Sequence, residues 1–535
     1  MICFTLSADT LQGMTSQVDR YRDCFDILEV RLDFLRQDER DKLLRSTALP
    51  AWLRETPLIL TLRRQSDGGA WNGDDTSRLN YLSSLVVSSL VENHSAHPVG
   101  AGRSLFLDLE DDVVALDAGR KAANVAALHG VQIIRSRHDF QGTPEDPAAV
   151  LGELATCGGP GEIPKLAVQV RGTGDLVRLV RAAATVRRSA FSGASGAAHG
   201  GAGDNDMRFI LVGMGSFGFP SRVLAPRIGS FLSYGSDPGE GRGHAAPGQI
   251  DPRSMDEVYR LRSQGPNSEV FGIIGNPVLH SRSPAFHNAA FSRHGRDAVY
   301  VPFPTDDLTA FRELMSLLDI RGLSVTIPHK EKVVSWFEDR GAAGVVSSPE
   351  LAAVGACNTV TRSSSGDIVG ANTDVAGFLL PLLYRVPSLR DRGVTVLGAG
   401  GASRAVVYGL LSSGARVLVL NRNQDRANSL AAEYGDLGRI TAGGLGPNSH
   451  ASLEAHNDII VQTTSVGMHP DVDADPLSFY EFSGTEVFYE IIYAPPKTKL
   501  LVRAEAAGCV VIGGEEMFLA QAELQAGLFA QTESI

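Results

Sequence analysis

VTVLGAGGASRA, Val394 to Ala405, reads as an apolar strand, a tight glycine turn and the first turns of a helix. A glycine turn alone is common and decides little. With a strand before it and a helix after, it takes the order of a dinucleotide-binding βα unit, whose helix N-terminus can receive a pyrophosphate. The next apolar run, ARVLVL, ends in NRNQDR. An NAD site usually places an acidic residue there for the ribose 2′-hydroxyl; Asn421, Arg422 and Arg426 instead favour a 2′-phosphate, and therefore NADP. A Rossmann domain is expected over residues 377–500, with closing C-terminal helices over 501–535.

Far upstream, strand-like runs alternate with helical segments: Ile2 to Leu6, Ile27 to Asp33, Leu58 to Arg63, Ser104 to Glu110, Val131 to His138, Lys165 to Val170, Arg208 to Gly213 and Ser230 to Gly235. About eight βα repeats over roughly 250 residues predict an α/β chain that opens with a (β/α)₈ barrel, here residues 1–251. Glu29, Arg31, Arg63 and His138 punctuate these runs toward their C-terminal ends, the face on which such barrels place their active sites. Lys165 departs from that pattern by opening its run. Two Gly/Ser-rich stretches, Ser192 to Asp206 and Ser236 to His244, read as surface loops. After a polar segment near Asp251 to Ser268, FGIIGNPV starts a new βα series, and a separate domain is expected over 268–376.

The 535 residues exceed what one core accommodates. Hydrophobic residues make up 43% and charged residues 21%, an ordinary globular balance. A net charge of -12 argues against nucleic acid or an anionic membrane as the main partner, and does not exclude anionic small-molecule substrates, which local arginines decide. Five scattered cysteines without a CxxC pair read as reduced thiols, not as metal ligands, so no metal is expected. No apolar run reaches the roughly 20 residues needed to cross a bilayer. The chain opens on a strand with no basic leader. The expected location is cytoplasmic, or plastid stroma if a transit peptide has been removed.

A lysine in apolar surroundings loses proton affinity and becomes a nucleophile toward ketones. Lys165 has Ile163, Leu166, Ala167 and Val168 around it, although a lone lysine is more often a solvent-facing strand edge. Glu29 and Arg31, two apart, share a strand face. Arg63 and Arg222 suit a carboxylate substrate. His138, with Asp67 as orienting partner, suits a proton shuttle. In the second half, GNPVLHSRSPAFHN supplies Ser281 and Ser283 at a strand-to-helix turn, although an N-cap needs only one serine. SVTIPHK adds Thr326 and Lys330, GACNT adds Asn358 and GANTD adds Asp374. A Lys/Asp pair can pass a proton to a developing alkoxide.

ILEVRLD, TLRRQSDGG, RSRHDFQGTP, PKLAV, MGSFGFPSR and APGQI, in this order, resemble type I 3-dehydroquinate dehydratase. The resemblance implies Lys165 as the Schiff-base lysine and His138 as acid/base. It further implies Glu29, Arg31, Arg63, Arg222 and Gln249 around the substrate carboxylate and hydroxyls, with Thr5 in place of a substrate-contacting serine. Asp67 stands where that family usually has glutamate. Ala245 stands where it usually has serine, which implies one substrate contact fewer.

HSRSP, VTIPHK, GACNT, GANTD, GAGGASRA, NRN, TTSVGM and GGEEMFLAQAELQ resemble shikimate dehydrogenase, from roughly Val270 onward. This resemblance implies Lys330 and Asp374 as catalytic residues, and Ser281, Ser283, Thr326, Asn358, Tyr493, Gln521 and Gln525 as substrate-binding. It places Gly398, Ala399, Gly400, Gly401, Ala402, Asn421, Arg422, Arg426 and Thr464 around NADP, with Ile491 and Gly514 near the nicotinamide. The joined order resembles plant-type bifunctional enzymes and the last two domains of the fungal five-activity polypeptide. It implies dehydration of 3-dehydroquinate followed by NADPH-dependent reduction of 3-dehydroshikimate to shikimate. A quinate-type dehydrogenase and a non-catalytic sensor of the same intermediates are the competing readings. Two unbroken catalytic pairs weigh against the sensor.

Overall fold

The computed structural model describes residues 1–45, 49–88, 104–159, 161–193, 208–238, 249–337, 345–347, 349–363 and 366–532. Ala245 and most of the two Gly/Ser-rich stretches lie outside them.

Eight parallel strands form the first sheet: β1 (Ile2–Leu6), β2 (Ile27–Arg31), β3 (Leu58–Thr61), β4 (Leu105–Glu110), β5 (Gln132–Asp139), β6 (Ile163–Gln169), β7 (Ile210–Met214) and β8 (Ser233–Ser236). Their order is β7-β6-β5-β4-β3-β2-β1-β8. The two end strands are drawn together where Phe231 N donates to Phe209 O at 2.7 Å, so the sheet is a nearly closed barrel.

Alternation along each strand explains this shape. Phe4, Leu28, Leu58 and Leu107 pack outward with helix residues such as Met14, Leu79 and Leu82. Cys3, Ile27, Ile59, Phe106, Ile134, Ile163 and Ile210 form an apolar inner floor. Two residues further along, Thr5, Glu29, Thr61, Asp108, Ser136 and Lys165 follow on the same faces, all buried. Polar groups thus collect above the floor, toward the strand C-termini, where barrel active sites lie.

Lys165 does not open its strand, as expected from sequence; it is the third residue, paired with Ser136 on one side and Ile210 on the other. Pro164 had marked a false start. Proline is tolerated in the opening residues of a strand, and Ile163 before it is 1% exposed.

A second sheet contains β9 (Glu269–Gly275), β10 (Ala298–Pro304), β11 (Ile320–Val325), β12 (Val345–Ser347), β13 (Thr359–Arg362) and β14 (Ile368–Ala371), in the order β10-β9-β11-β13-β14-β12. The third has β15 (Gly393–Leu397), β16 (Arg416–Asn421), β17 (Ile440–Gly444), β18 (Ile459–Gln462), β19 (Val487–Glu490) and β20 (Val510–Ile512). Its order, β17-β16-β15-β18-β19-β20, with all pairs parallel, is the doubly wound order of a Rossmann domain.

By contacts the chain divides into two compact units: Met1–Gly272 with Val278–Ile320, and Ile273–Pro277 with Arg321–Ile535. Within the first, helix Leu308–Leu318 packs on the barrel helix Thr173–Gly193 that follows β6. Asp306 caps that barrel helix: its Oδ1 accepts from Thr173 N at 2.9 Å and from Thr173 Oγ1 at 2.7 Å. A Cβ at Gly172 would lie 2.7 Å from Asp306 Oδ2, so glycine is what lets the carboxylate approach. Within the second unit, helix Gly514–Ala530 packs along helix Asp374–Arg385.

Candidate active sites

The barrel mouth holds a cavity of about 470 Å³, open mouth included, lined among others by Glu29, Arg31, Arg63, His138, Lys165, Arg222 and Gln249. Lys165 is 3% exposed, and its Nζ lies 2.7 Å from Asp108 Oδ2. Ser136 Oγ donates to Asp108 Oδ1 at 2.5 Å, and Arg63 Nη2 to Oδ2 at 3.2 Å. Burial pushes the Asp108 carboxyl up, but the Lys165 and Arg63 cations outweigh it and hold it well below the usual carboxylate range. Asp108 therefore stays ionised as the counter-charge of the lysine. Sequence reasoning missed it. The signal was there: a carboxylate two residues from Phe106 shares that residue's inward face.

His138 borders the same cavity with both ring nitrogens shielded and without a hydrogen-bond partner among the described residues. Burial, followed by the Arg63 and Lys165 cations, lowers its pKa well below the ordinary 6.5, with Asp108 opposing. The ring is thus neutral and able to accept a proton. Its stacking neighbour is Phe140, with ring centroids 6.4 Å apart.

The expected Asp67 to His138 contact is not made. Asp67 lines the cavity but its Oδ2 accepts from Arg64 Nε at 2.7 Å. Arg64 stands three residues before it, and a charged guanidinium at that spacing outcompetes a neutral imidazole. Thr5 also differs from expectation. It does not line the cavity but donates to Glu29 Oε2 at 2.8 Å, while Thr61 donates to Oε1 at 2.9 Å. The two threonines hold both carboxylate oxygens in place. Arg31 is clamped by Asp33 through bonds of 2.9 and 2.7 Å. Arg222 is buried, with Nε donating to Gly213 O at 2.9 Å, and burial pulls its guanidinium down to about 10.

In the second unit Lys330 Nζ lies 2.6 Å from Asp374 Oδ2. Asn358 Nδ2 holds the other carboxylate oxygen at 2.8 Å, and Thr373 N donates to Asn358 Oδ1 at 2.8 Å. The main chain joins these segments: Cys357 N donates to Lys330 O and Thr326 N to Ile274 O. Gln521 lies one turn beyond Asp374, where a Cβ on Gly377 would come within 2.6 Å of its Cβ. Gln525 does not fit the expected substrate role. Its oxygen accepts from Ser324 Oγ at 2.7 Å and its nitrogen donates to Thr359 Oγ1 at 2.9 Å and Asn358 O at 3.2 Å. At 1% exposure it braces Asn358 from behind. Ser281 and Ser283 lie in the first unit, at the start of helix Ser283–Arg293, where Ser281 Oγ accepts from Ser283 N.

The glycine turn joins β15 to helix Gly401–Ser412. Gly398 has φ +117, a backbone state that favours glycine, and a Cβ there would lie 2.6 Å from Thr463 Oγ1. Thr463 hydrogen-bonds Ser403 Oγ at 2.7 Å, tying the TTS segment to the turn; Thr464 Oγ1 donates to Gln462 at 3.1 Å. Ala399 and Ala402 flank Gly400, where a Cβ would meet nothing within 4 Å. That leaves an open cradle at a helix N-terminus, suited to a pyrophosphate. A Cβ on Gly401 would stand 3.0 Å from Lys330 Cβ, so the Lys/Asp pair abuts the cradle. Arg422 and Arg426 are exposed beyond β16, next to Asn421. Gly514 packs against the backbone of Ile491 and Ile492, and Tyr493 lies against Phe518, ring centroids 5.1 Å apart. These residues fit a 2′-phosphorylated dinucleotide.

Residues 2–266 match a model described as type I 3-dehydroquinase. Residues 273–360 match the shikimate dehydrogenase substrate binding domain, and 383–467 match shikimate / quinate 5-dehydrogenase. A shikimate dehydrogenase (NADP(+)) of Trichormus variabilis is 36% identical over 50% of this chain and 93% of its own length. The chain belongs to the shikimate dehydrogenase family, joined behind a type I 3-dehydroquinase barrel. The bifunctional 3-dehydroquinate dehydratase/shikimate dehydrogenase, chloroplastic, of Arabidopsis thaliana is 28% identical over 99% of this chain and 82% of its own. The solved dehydroquinate dehydratase and shikimate dehydrogenase from S. pombe AroM is 24% identical, with 99% of this chain and 95% of that one covered and a TM-score of 0.39.

Proposed function

We propose that the barrel converts 3-dehydroquinate to 3-dehydroshikimate through an imine on Lys165, and that the second half reduces 3-dehydroshikimate to shikimate. The observation that carries this reading is the buried Lys165–Asp108 pair in a solvent-reaching cavity beside a neutral His138. Lys165 Nζ adds to the substrate ketone, and loss of water leaves an iminium whose positive charge Asp108 balances. His138 then takes the proton from the adjacent carbon. The β-hydroxyl leaves as His138 returns that proton, and hydrolysis frees the lysine. Arg222 and Arg63 suit the substrate carboxylate, and Glu29 a ring hydroxyl.

In the second half Lys330 and Asp374 hold the substrate oxygen and give it a proton as it becomes an alcohol. The glycine cradle, Asn421, Arg422 and Arg426 would hold NADP, which in its reduced form supplies the hydride. Thr326, Asn358, Tyr493 and Gln521 complete the substrate set within the second unit. The functional division is 1–251, 268–376, 377–500 and 501–535. All five cysteines are free, which supports a reducing compartment, cytoplasm or plastid stroma. No helix among the described residues is long and apolar enough to cross a membrane.

The test is to mix 3-dehydroquinate with NADPH and identify the product. Shikimate should form with NADPH oxidation. Lys165→Ala should stop oxidation from 3-dehydroquinate while leaving that from 3-dehydroshikimate. Continued oxidation from 3-dehydroquinate in that variant would remove the barrel assignment.

A further inference from the structure

Tyr234, on β8, is 4% exposed and lines the barrel cavity. Its hydroxyl is shielded from solvent and has no hydrogen-bond partner among the described residues. A buried hydroxyl left unpaired is a net cost to folding. A phenylalanine would fill the same space without that cost, so packing does not account for the oxygen. The ring sits 4.3 Å from Lys165 Nζ, measured to its centroid. The hydroxyl makes no hydrogen bond to Nζ itself, yet it belongs to the ring beside that amine, within reach of an oxygen carried on a carbon bonded to Nζ. Burial, reinforced by Glu29, raises the phenol pKa well above 10, so the group keeps its proton and can donate.

We infer that Tyr234 is a catalytic residue of the barrel, donating a hydrogen bond to the oxygen of the ketone that Lys165 attacks. The inference rests on the imine reading of Lys165. As the N–C bond forms, the carbonyl π pair moves onto oxygen, and Tyr234 Oη stabilises the charge that develops there. The proton stays on the phenol, and no further reactant is consumed. Donors aimed at such oxyanions are worth about 10²–10³ in rate.

The experiment compares full-length wild type, Tyr234→Phe and Lys165→Ala, measuring single-turnover formation of the borohydride-trappable adduct with 3-dehydroquinate. Thermal unfolding and reduction of 3-dehydroshikimate report on folding. Tyr234→Phe should form the adduct about 10²–10³-fold more slowly, with the reductase rate unchanged and the unfolding temperature held or raised, since the unpaired hydroxyl is gone. Adduct formation at the wild-type rate in Tyr234→Phe overturns the inference, as does a slow rate accompanied by a lowered unfolding temperature. Absence of any adduct in wild type, or an adduct retained in Lys165→Ala, strikes instead at the imine reading.

Discussion

Replacing Glu490 with glutamine should stabilise the protein in neutral and alkaline solution and leave it unchanged in acid. Glu490 ends β19 immediately before Ile491 and is fully buried. It accepts from Ile492 N at 3.0 Å and from Thr498 Oγ1 at 2.8 Å. Burial outweighs both bonds and pushes the carboxyl up from 4.5 to about 7. Between those values the native chain keeps a proton that the unfolded chain has lost. Stability therefore falls as pH rises through that window and is level above it. The rise from 4.5 to about 7 corresponds to about 3 kcal/mol. Glutamine is neutral at every pH, keeps one oxygen for Ile492 N and offers its amide to Thr498 Oγ1, whose hydroxyl can turn to accept. The gain should be about 3 kcal/mol above pH 7, roughly 6–12 °C for a domain of this size, and near zero at pH 4.5. Calorimetry of the full chain from pH 4.5 to 8.5, resolving the transition of the second unit, measures it. A gain of equal size at all pH, or a loss at pH 8.5, refutes the buried-charge argument.

Three further outcomes follow from the geometry. His138 has a folded pKa below its unfolded one, so acidification below about pH 6.5 should destabilise wild type by about 1 kcal/mol per pH unit until the folded value is reached; unfolding curves of His138→Gln should lack that slope, and its dehydratase rate should fall about 10²–10⁴-fold. Asp306→Ala removes the cap of helix Thr173–Gly193 and should lower the unfolding temperature of the barrel transition, by about 1–2 kcal/mol in stability, without changing the reductase KM. Arg422→Ala combined with Arg426→Ala should raise the KM for NADPH at least about tenfold and leave that for NADH little changed; an unaltered NADPH preference would move the 2′-phosphate elsewhere.

The barrel strands were legible because a two-residue alternation over an apolar floor repeats eight times. The Rossmann unit was legible because strand, glycine turn and helix occur in one continuous stretch. Asp108 and Tyr234 escaped because a charged or phenolic residue inside an apolar run can face either way, and only pairing with neighbouring strands decides which. The resemblance places Thr5 and Gln525 against substrate, but a sequence shows only that a polar group stands near a site, not whether a neighbour already occupies it. Asp67 was assigned to His138, 71 positions away, although Arg64 lay within one turn. The cap on Thr173 is supplied by Asp306 across 133 residues, with no local signature except the glycine at 172.

The central claim is that a buried lysine in the barrel carries the substrate covalently. Borohydride added during turnover of 3-dehydroquinate should leave one reduced adduct per chain, located by peptide mass at Lys165, with dehydratase activity lost and 3-dehydroshikimate reduction retained. An adduct at another lysine, or full dehydratase activity after borohydride with no adduct, would contradict it.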